Sequence, residues 1–173
     1  MTATVPEWIQ AQGFWNVYWL PAAANLEAIT VAEFAAGADI TCYLPDPQWD
    51  GIAGEQEKFE QTRACLQETF EVLGRIKRSI SDLTYTVLPQ GDETGEGNKV
   101  AALLEEGAQG VVVIRRGKQA KLPIAPADKY SAIRATAGLQ KENLGGADAG
   151  APTTNTTSFS ASGQLTKGVV PAA

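Results

Sequence analysis

Carboxylates are the side chains through which this chain could do chemistry, because it holds 20 aspartates and glutamates and no histidine. A pair of carboxylates can divide the roles of general acid and general base. Without histidine, however, the Ser-His and Cys-His nucleophile pairs and the commonest metal ligand are missing. The acidic residues are scattered, and no spacing marks two of them as a pair. The sequence therefore predicts a solvated acidic surface and no enzymatic activity.

A metal site or a disulfide has equally little support. In the glycine-rich segment 89–99, the spacing of Asp92, Glu93 and Glu96 does not match the alternating ligands of a calcium loop. Cys42 and Cys65 are too few for a disulfide framework or a zinc site, so we expect reduced thiols in the core. We expect no cofactor.

Length and charge limit the class of protein further. A chain of 173 residues with 44% hydrophobic residues fits one globular domain with tails. No apolar run approaches the about 20 residues that a membrane-spanning helix needs, and no basic residue precedes a hydrophobic stretch at the N-terminus. We therefore expect no membrane association, no signal peptide and a cytoplasm-like compartment. The net charge of −6 disfavours tight binding to nucleic acid, which depends on neutralising phosphates.

The first third of the chain predicts two strands around a short helix. In FWNVYWL (14–20), bulky residues alternate on both sides, so both faces of this strand should be covered. Thr30 and Glu33 have the spacing of a capping box, and Gly37 can end the helix that follows. ADITCYL (38–44) predicts the next strand.

The middle of the chain is ambiguous. PDPQWDGIAGE (45–55) has the composition of a long loop, and its Trp49 either contacts a partner or folds back onto the core. Segment 55–70 consists mostly of good helix formers, and the apolar pattern of 66–80 fits a helix and a strand equally well. Gly74 and the alternation of DLTYTV (82–87) favour strands.

The remainder predicts one helix and three strands. NKVAALLEEG (98–107) is a short amphipathic helix with Asn98 as its N-cap and Gly107 at its end. The strand 110–117 should end in two exposed arginines, Arg115 and Arg116. A strand at 129–140 carries a bulge where two apolar residues adjoin, and a small-residue linker at 145–155 precedes a strand at 156–165. The fold class is therefore mostly β, a sandwich or barrel with one or two short helices.

Four stretches, taken in order, resemble the major tail tube protein of long-tailed, non-contractile bacteriophages of the siphovirus type. They are VYWLPAAANLEAITVAEFAAGADITCYL, TRACLQETFEVLGRIKRSISDLTYTV, NKVAALLEEGAQGVVVIRRG and KYSAIRATAGLQKENLG, and the match runs from about Asn16 to Leu165. The resemblance implies a β-sandwich with a flanking helix. It also implies that 67–79 is a strand that joins a neighbour's sheet, with Ser81 and Asp82 between it and the next strand.

The resemblance further implies homohexameric rings stacked into a hollow tube, through which genome DNA passes without specific binding. The implied partners are other copies of the chain, a tape measure protein, a tail terminator and distal tail proteins, and the implied location is the virion tail after assembly in the host cytoplasm. The expected organisation is an N-terminal arm (1–13), a β-sandwich domain (14–165) and a C-terminal tail (166–173). The domain should contain a long loop at 45–62 and a flexible loop at 145–155.

Several residues would then take part in the assembly. Six subunits of net charge −6 give a ring a formal charge of −36, which would repel the closely spaced phosphates of DNA. We expect Glu68 and Glu71 to face the channel, although ordinary solvated positions are equally compatible with the sequence. Candidate contacts between subunits or rings are Trp8, Trp49, Asp50, Arg75, Lys77 and Arg78. A carbohydrate-binding or virion decoration module is the alternative function.

Overall fold

Most of the chain forms two antiparallel sheets. A computed structural model describes residues 14–44, 49–62, 69–87, 96–143 and 153–172. Its larger sheet has six strands in the order β2-β1-β6-β7-β8-β5 and is curled, and its smaller sheet pairs β3 with β4. The strands are β1 Trp15–Leu20, β2 Ala38–Asp39, β3 Ile52–Thr62, β4 Thr69–Ile80, β5 Leu83–Thr86, β6 Gln109–Arg116, β7 Lys129–Asn143 and β8 Thr154–Val169. The mostly β fold class is confirmed.

The larger sheet is covered on both faces. Alternation along β1 sends Val17 and Trp19 to one face and Tyr18 and Leu20 to the other, and all four are buried. The first face packs against the second helix and the base of the small sheet. The second face packs against the first helix and the segment that leads to it. The predicted burial of both faces of this strand is confirmed.

The first helix, α1 (Val31–Ala36), begins at the predicted capping box. The Glu33 carboxylate accepts a hydrogen bond from the Thr30 N–H at 2.7 Å, and the Thr30 hydroxyl accepts one from the Glu33 N–H at 3.3 Å. Hydrogen bonds from the backbone of Thr30 and Ala24 lower the pKa of Glu33. Gly37 caps the end of the helix, donating its N–H to Phe34. Both predicted ends of this helix are therefore confirmed.

The predicted strand at 38–44 is mostly wrong. Only Ala38–Asp39 pairs with β1, and Thr41–Tyr43 forms a 3-10 turn. The Asp39 carboxylate accepts hydrogen bonds from both the N–H and the hydroxyl of Thr41, which bends the chain after two residues. Cys42 lies on this turn and is exposed, so it is not a core thiol.

The ambiguous middle of the chain consists of strands. β3 occupies 52–62, which the sequence assigned partly to a loop and partly to a possible helix. This segment has the composition of a helix, but it forms a strand because its backbone pairs with β4 in an antiparallel ladder. β4 confirms the predicted strand at 67–79 from Thr69 onward, and Ser81 and Asp82 separate it from β5 as expected.

The second helix, α2 (Glu96–Leu103), begins before the predicted start, so Asn98 lies within it and is not its N-cap. The helix extends into the glycine-rich segment that the sequence assigned to a loop. Val100 and Leu104 are fully buried, as the amphipathic pattern predicted. Gly107 has a positive φ of 86°, and its N–H donates to Ala137 of β7, which turns the chain into β6.

The last two strands are longer than predicted. The predicted bulge at Ala132 and Ile133 is wrong: both residues pair with β6 in unbroken register, and at the register shift against β8 the extra residues belong to β8. β7 has an extra residue of its own between Ala137 and Gln140. β8 continues to Val169, beyond the predicted end of the domain at 165, and begins at Thr154, inside the predicted linker. The predicted arm 1–13, Glu68, Trp8, Cys65, Asp92 and Glu93 lie outside the described residues. Within the described ranges, no helix is long and apolar enough to span a membrane.

Arg115 contradicts its prediction as an exposed strand end, because its side chain is only 1% accessible. Its guanidinium donates to the Asn16 side chain and, at 3.2 Å, to the Asp128 carboxylate. It also donates to the backbone carbonyls of Gln119, Ala120, Leu122 and Pro123. The loop 117–128 therefore folds back over the end of β6 and encloses the charge. Arg116 is exposed, as predicted.

Asp128 makes the stability of this loop depend on pH. Burial alone would raise the pKa of Asp128, but hydrogen bonds from Lys118, the Ala125 N–H and Arg115 outweigh it and lower the pKa. A lowered folded-state pKa stabilises the fold above the ordinary carboxyl value of about 3.9, and this stabilisation is lost as the pH falls through the folded-state pKa.

We therefore expect Asp128→Asn to destabilise the protein at pH 7 and to flatten the loss of stability between about pH 5 and pH 2. Urea unfolding of both chains over a series of pH values measures this. An unchanged slope against pH in the variant would show that Asp128 does not contribute.

Candidate assembly surface

The small sheet is a hairpin that is attached to the body only at its base. There, Ile80 is buried and Ile52 packs against the core. The Ser81 N–H donates to the Gly51 carbonyl at 2.9 Å, and the indole N–H of Trp49 donates to the Ser81 carbonyl at 3.2 Å. These contacts fix the direction of β3 and β4, while most described side chains beyond the base are exposed.

Exposed apolar side chains occur on both faces of the hairpin. The register shifts midway along it, where β4 has one residue more than β3, so Phe59 and its partner Val72 lie on the opposite face from Ile76. A Cβ added at Gly74 would meet both the Phe59 ring and Glu57, which places these side chains on one face, the Phe59 face. Phe59 is 53% exposed and Val72 is 37% exposed. Such an uncovered apolar pair is available for contact with another molecule.

Each face of the hairpin carries one ion pair. Lys77 bonds Glu57 at 2.8 Å on the Phe59 face, and Lys58 bonds Glu71 at 3.0 Å on the opposite face, the Glu71 face. Both pairs are exposed and contribute little to stability. The hydrogen bond that Lys77 donates to Glu57 raises the pKa of Lys77. On the Glu71 face, Glu60 stands directly opposite Glu71, and Leu73 and Ile76 are exposed.

The outer edges of the hairpin have no strand partner. Among the described residues, β3 pairs only with β4, and β4 pairs only with β3, and part of β4 runs close to β8 without pairing with it. An open strand edge presents unpaired N–H and C=O groups that another strand can join. The edges also differ in charge, because β3 contains three glutamates and one lysine, whereas β4 contains one glutamate and three basic residues. Such edges are complementary to each other between two copies of the chain.

The structure brings four of the predicted site residues together on β4. Glu71 and Arg78 lie on the Glu71 face, where Arg78 is half-buried beside Gly54, whereas Lys77 lies on the Phe59 face. Arg75 lies at the register shift. Lys77 is already bonded to Glu57 of its own chain. A channel position for Glu71 and contacts of the three basic residues with a neighbour stay predictions.

Trp49 packs against the core, which favours the prediction that it folds back onto the core over a contact with a partner. Asp50 beside it is exposed. The described tryptophans Trp15, Trp19 and Trp49 are all buried or half-buried, so they do not form the exposed aromatic platform that a carbohydrate site would use. No group of acidic residues and cysteines able to hold a metal ion occurs within the described ranges.

The sequence did not reveal the two faces of the hairpin. Only the pairing of β3 with β4 and its register shift show that Phe59 and Val72 share one face while Ile76 lies on the other. The signal that could have indicated this is the register across β3, which the helix-forming composition concealed.

The fold and the hairpin together define a class of protein: a mostly β structural subunit whose open strand edges can join other chains. The chain belongs to the phage tail tube protein family, whose model matches residues 2–173. It is therefore a structural component of the tail of a virion. This confirms the tail tube resemblance of the sequence.

Comparison with known proteins adds a fold neighbour. The chain is similar to a chain in the cryo-EM structure of the anti-feeding prophage (AFP) baseplate, 6-fold symmetrised, with a TM-score of 0.54 and 11% sequence identity. The alignment covers 95% of this chain and 97% of that chain. At this level of identity the likeness shows a shared fold. No curated protein matches the chain.

Proposed function

We propose that this protein forms homohexameric rings that stack into the hollow tail tube of a non-contractile phage, through which genome DNA leaves the capsid. The observation that carries the proposal is the β3–β4 hairpin, whose strands pair only with each other among the described residues and whose Phe59 and Val72 are uncovered. Membership of the tail tube family supports it, as does the fold shared with a chain from an assembly described as 6-fold symmetrised.

Ring closure follows from the two edges of the hairpin. When the acidic β3 of one subunit joins the basic β4 of the next, each subunit offers one edge and accepts another, so the contact is heterologous and can close into a ring. Closure removes the open edges, as it does in a β-barrel. Phe59 and Val72 of each hairpin are then covered by a neighbouring subunit, which removes them from water.

The Glu71 face of the hairpin would line the channel in this arrangement. It carries Lys58, Glu60, Glu71 and the half-buried Arg78, with Glu60 and Glu71 opposite each other. Such a surface gives phosphates no continuous basic track on which to bind, so DNA slides through. Glu68 belongs to the same proposal as a channel residue. Tape measure, terminator and distal tail proteins would set the length and the ends of the tube.

Negative-stain electron microscopy of the purified protein over a concentration series tests this function. We expect rings or tubes of one uniform diameter, with six subunits per ring in class averages. A chain that remains monomeric at every concentration and salt condition, and that no preformed tail initiator complex brings into tubes, would contradict the proposal.

A further inference from the structure

The two ends of β6 carry opposite charges on the surface. Where β6 ends, Arg116, Lys129 and Lys167 line one open depression of about 270 Å³. The register pairs Ile114 with Ser131 and Ser131 with Lys167. Because side chains alternate along a strand, the three basic residues stand on the same face of three adjacent strands.

These three cations have no acidic partner in the part of the chain that the structure describes. Every ion pair found there involves Lys58, Lys77, Arg115 or Lys118 instead. No acidic residue of the described ranges lines the depression. Val169, which also lines it, is 45% exposed and adds an apolar contact area. A concave, basic and partly apolar surface of this kind fits an acidic protein segment.

An acidic turn lies at the opposite end of β6. Glu105 and Glu106 lie on the turn between α2 and β6, separated from the strand by Gly107 and Ala108, and both are exposed. The turn is fixed, because the Ala108 N–H donates to the Glu105 carbonyl at 2.9 Å and the Gly107 N–H donates to the Ala137 carbonyl at 2.8 Å. Neither carboxylate forms an ion pair within the described residues.

The acidic turn cannot reach the basic depression of its own chain. β6 has eight residues, and at ~3.3 Å per residue its ends are roughly 23 Å apart. Only a second copy can therefore bring the two surfaces together. A contact between unlike ends of one chain is heterologous and can repeat without closing, as stacking along a tube requires.

We propose that the basic depression of one subunit receives the Glu105–Glu106 turn of a second copy, as a contact between successive rings. This rests on the proposed tube and names the surfaces that join its rings. Nucleic acid is the less favoured occupant, because the three cations belong to a chain of net charge −6.

Charge reversal with rescue tests the pairing. We expect Lys129→Glu with Lys167→Glu to reduce the tube yield at least tenfold in electron micrographs and sedimentation, while single rings persist. Adding Glu105→Lys and Glu106→Lys to the same chain should restore tubes. Lys99→Glu with Lys141→Glu is the matched control, since it changes the net charge equally on exposed lysines outside the depression, and it should assemble normally.

The pairing would be overturned if the charge reversal left the tube yield unchanged. It would equally be overturned if the quadruple variant did not restore tubes. Loss of binding to a labelled DNA duplex in the reversed variant, with tube yield unchanged, would assign the depression to phosphate and equally overturn it.

Zero-length carbodiimide cross-linking tests the proposed contact independently of whether the protein forms tubes. A bond from Glu105 or Glu106 to Lys129 or Lys167 must join two chains, because the sites are too far apart within one. Finding it by mass spectrometry in any oligomer supports the contact even if no tubes form. Tubes or concentrated protein in which these lysines cross-link only to other acids would refute the inference and leave the proposed tube intact.

Discussion

Phe59→Thr combined with Val72→Thr is expected to raise the concentration needed for ring assembly about tenfold. Phe59 is 53% exposed and Val72 is 37% exposed in the single subunit, and both would be buried in the proposed ring. Fully burying a large apolar side chain contributes about 1.5–3 kcal/mol, so losing the burial of roughly half of two such side chains costs about 1.4 kcal/mol or more per interface. Threonine keeps the strand preference, so the hairpin itself should persist.

Leu73→Thr is the matched control for this prediction. Leu73 lies on the same strand and is 61% exposed, but it stands on the Glu71 face. We expect this variant to assemble at nearly the concentration of the unchanged chain. Sedimentation velocity and electron microscopy of all three proteins give the comparison, and circular dichroism verifies that each is folded. Equal impairment by Leu73→Thr would show that assembly does not distinguish the two faces.

Arg115→Met is expected to lower the free energy of unfolding by about 3–5 kcal/mol, the usual cost of removing one partner from a buried ion pair. The substitution removes one of the donors to Asp128 and the donor to the Asn16 side-chain oxygen, and it leaves four carbonyls of the loop 117–128 without a hydrogen bond from the guanidinium. Methionine fills much of the same volume, so the loss comes mainly from unpaired polar groups.

Arg116→Met, one residue further on, is the control. Its side chain is exposed and makes no ion pair within the described residues, so we expect a change of less than about 0.5 kcal/mol. Chemical denaturation of both variants measures the difference. If the two substitutions cost the same, the network around Arg115 does not hold the loop.

Short-range signals in the sequence predicted their elements correctly. The capping box of Thr30 and Glu33 requires only residues three apart, and the structure forms it as expected. The dense apolar residues of β1 and β6 can be buried only between two layers, which the structure also shows. By contrast, the bulge predicted at Ala132 and Ile133 is wrong, because adjacent residues of a regular strand already face opposite sides and each of these two packs into one of the two cores.

Long-range pairing decided the rest. β3 has the composition of a helix, and it is a strand because β4 lies beside it. Arg115 resembles a solvated residue at the end of a strand, and it is buried because a loop supplies its hydrogen-bond partners. The sequence by itself determined a mostly β, acidic chain of the tail tube type without histidine chemistry. Only the tertiary structure brought Phe59 and Val72 together on one exposed face and placed opposite charges at the two ends of β6. Such surfaces depend on the register between strands, which no local sequence pattern specifies.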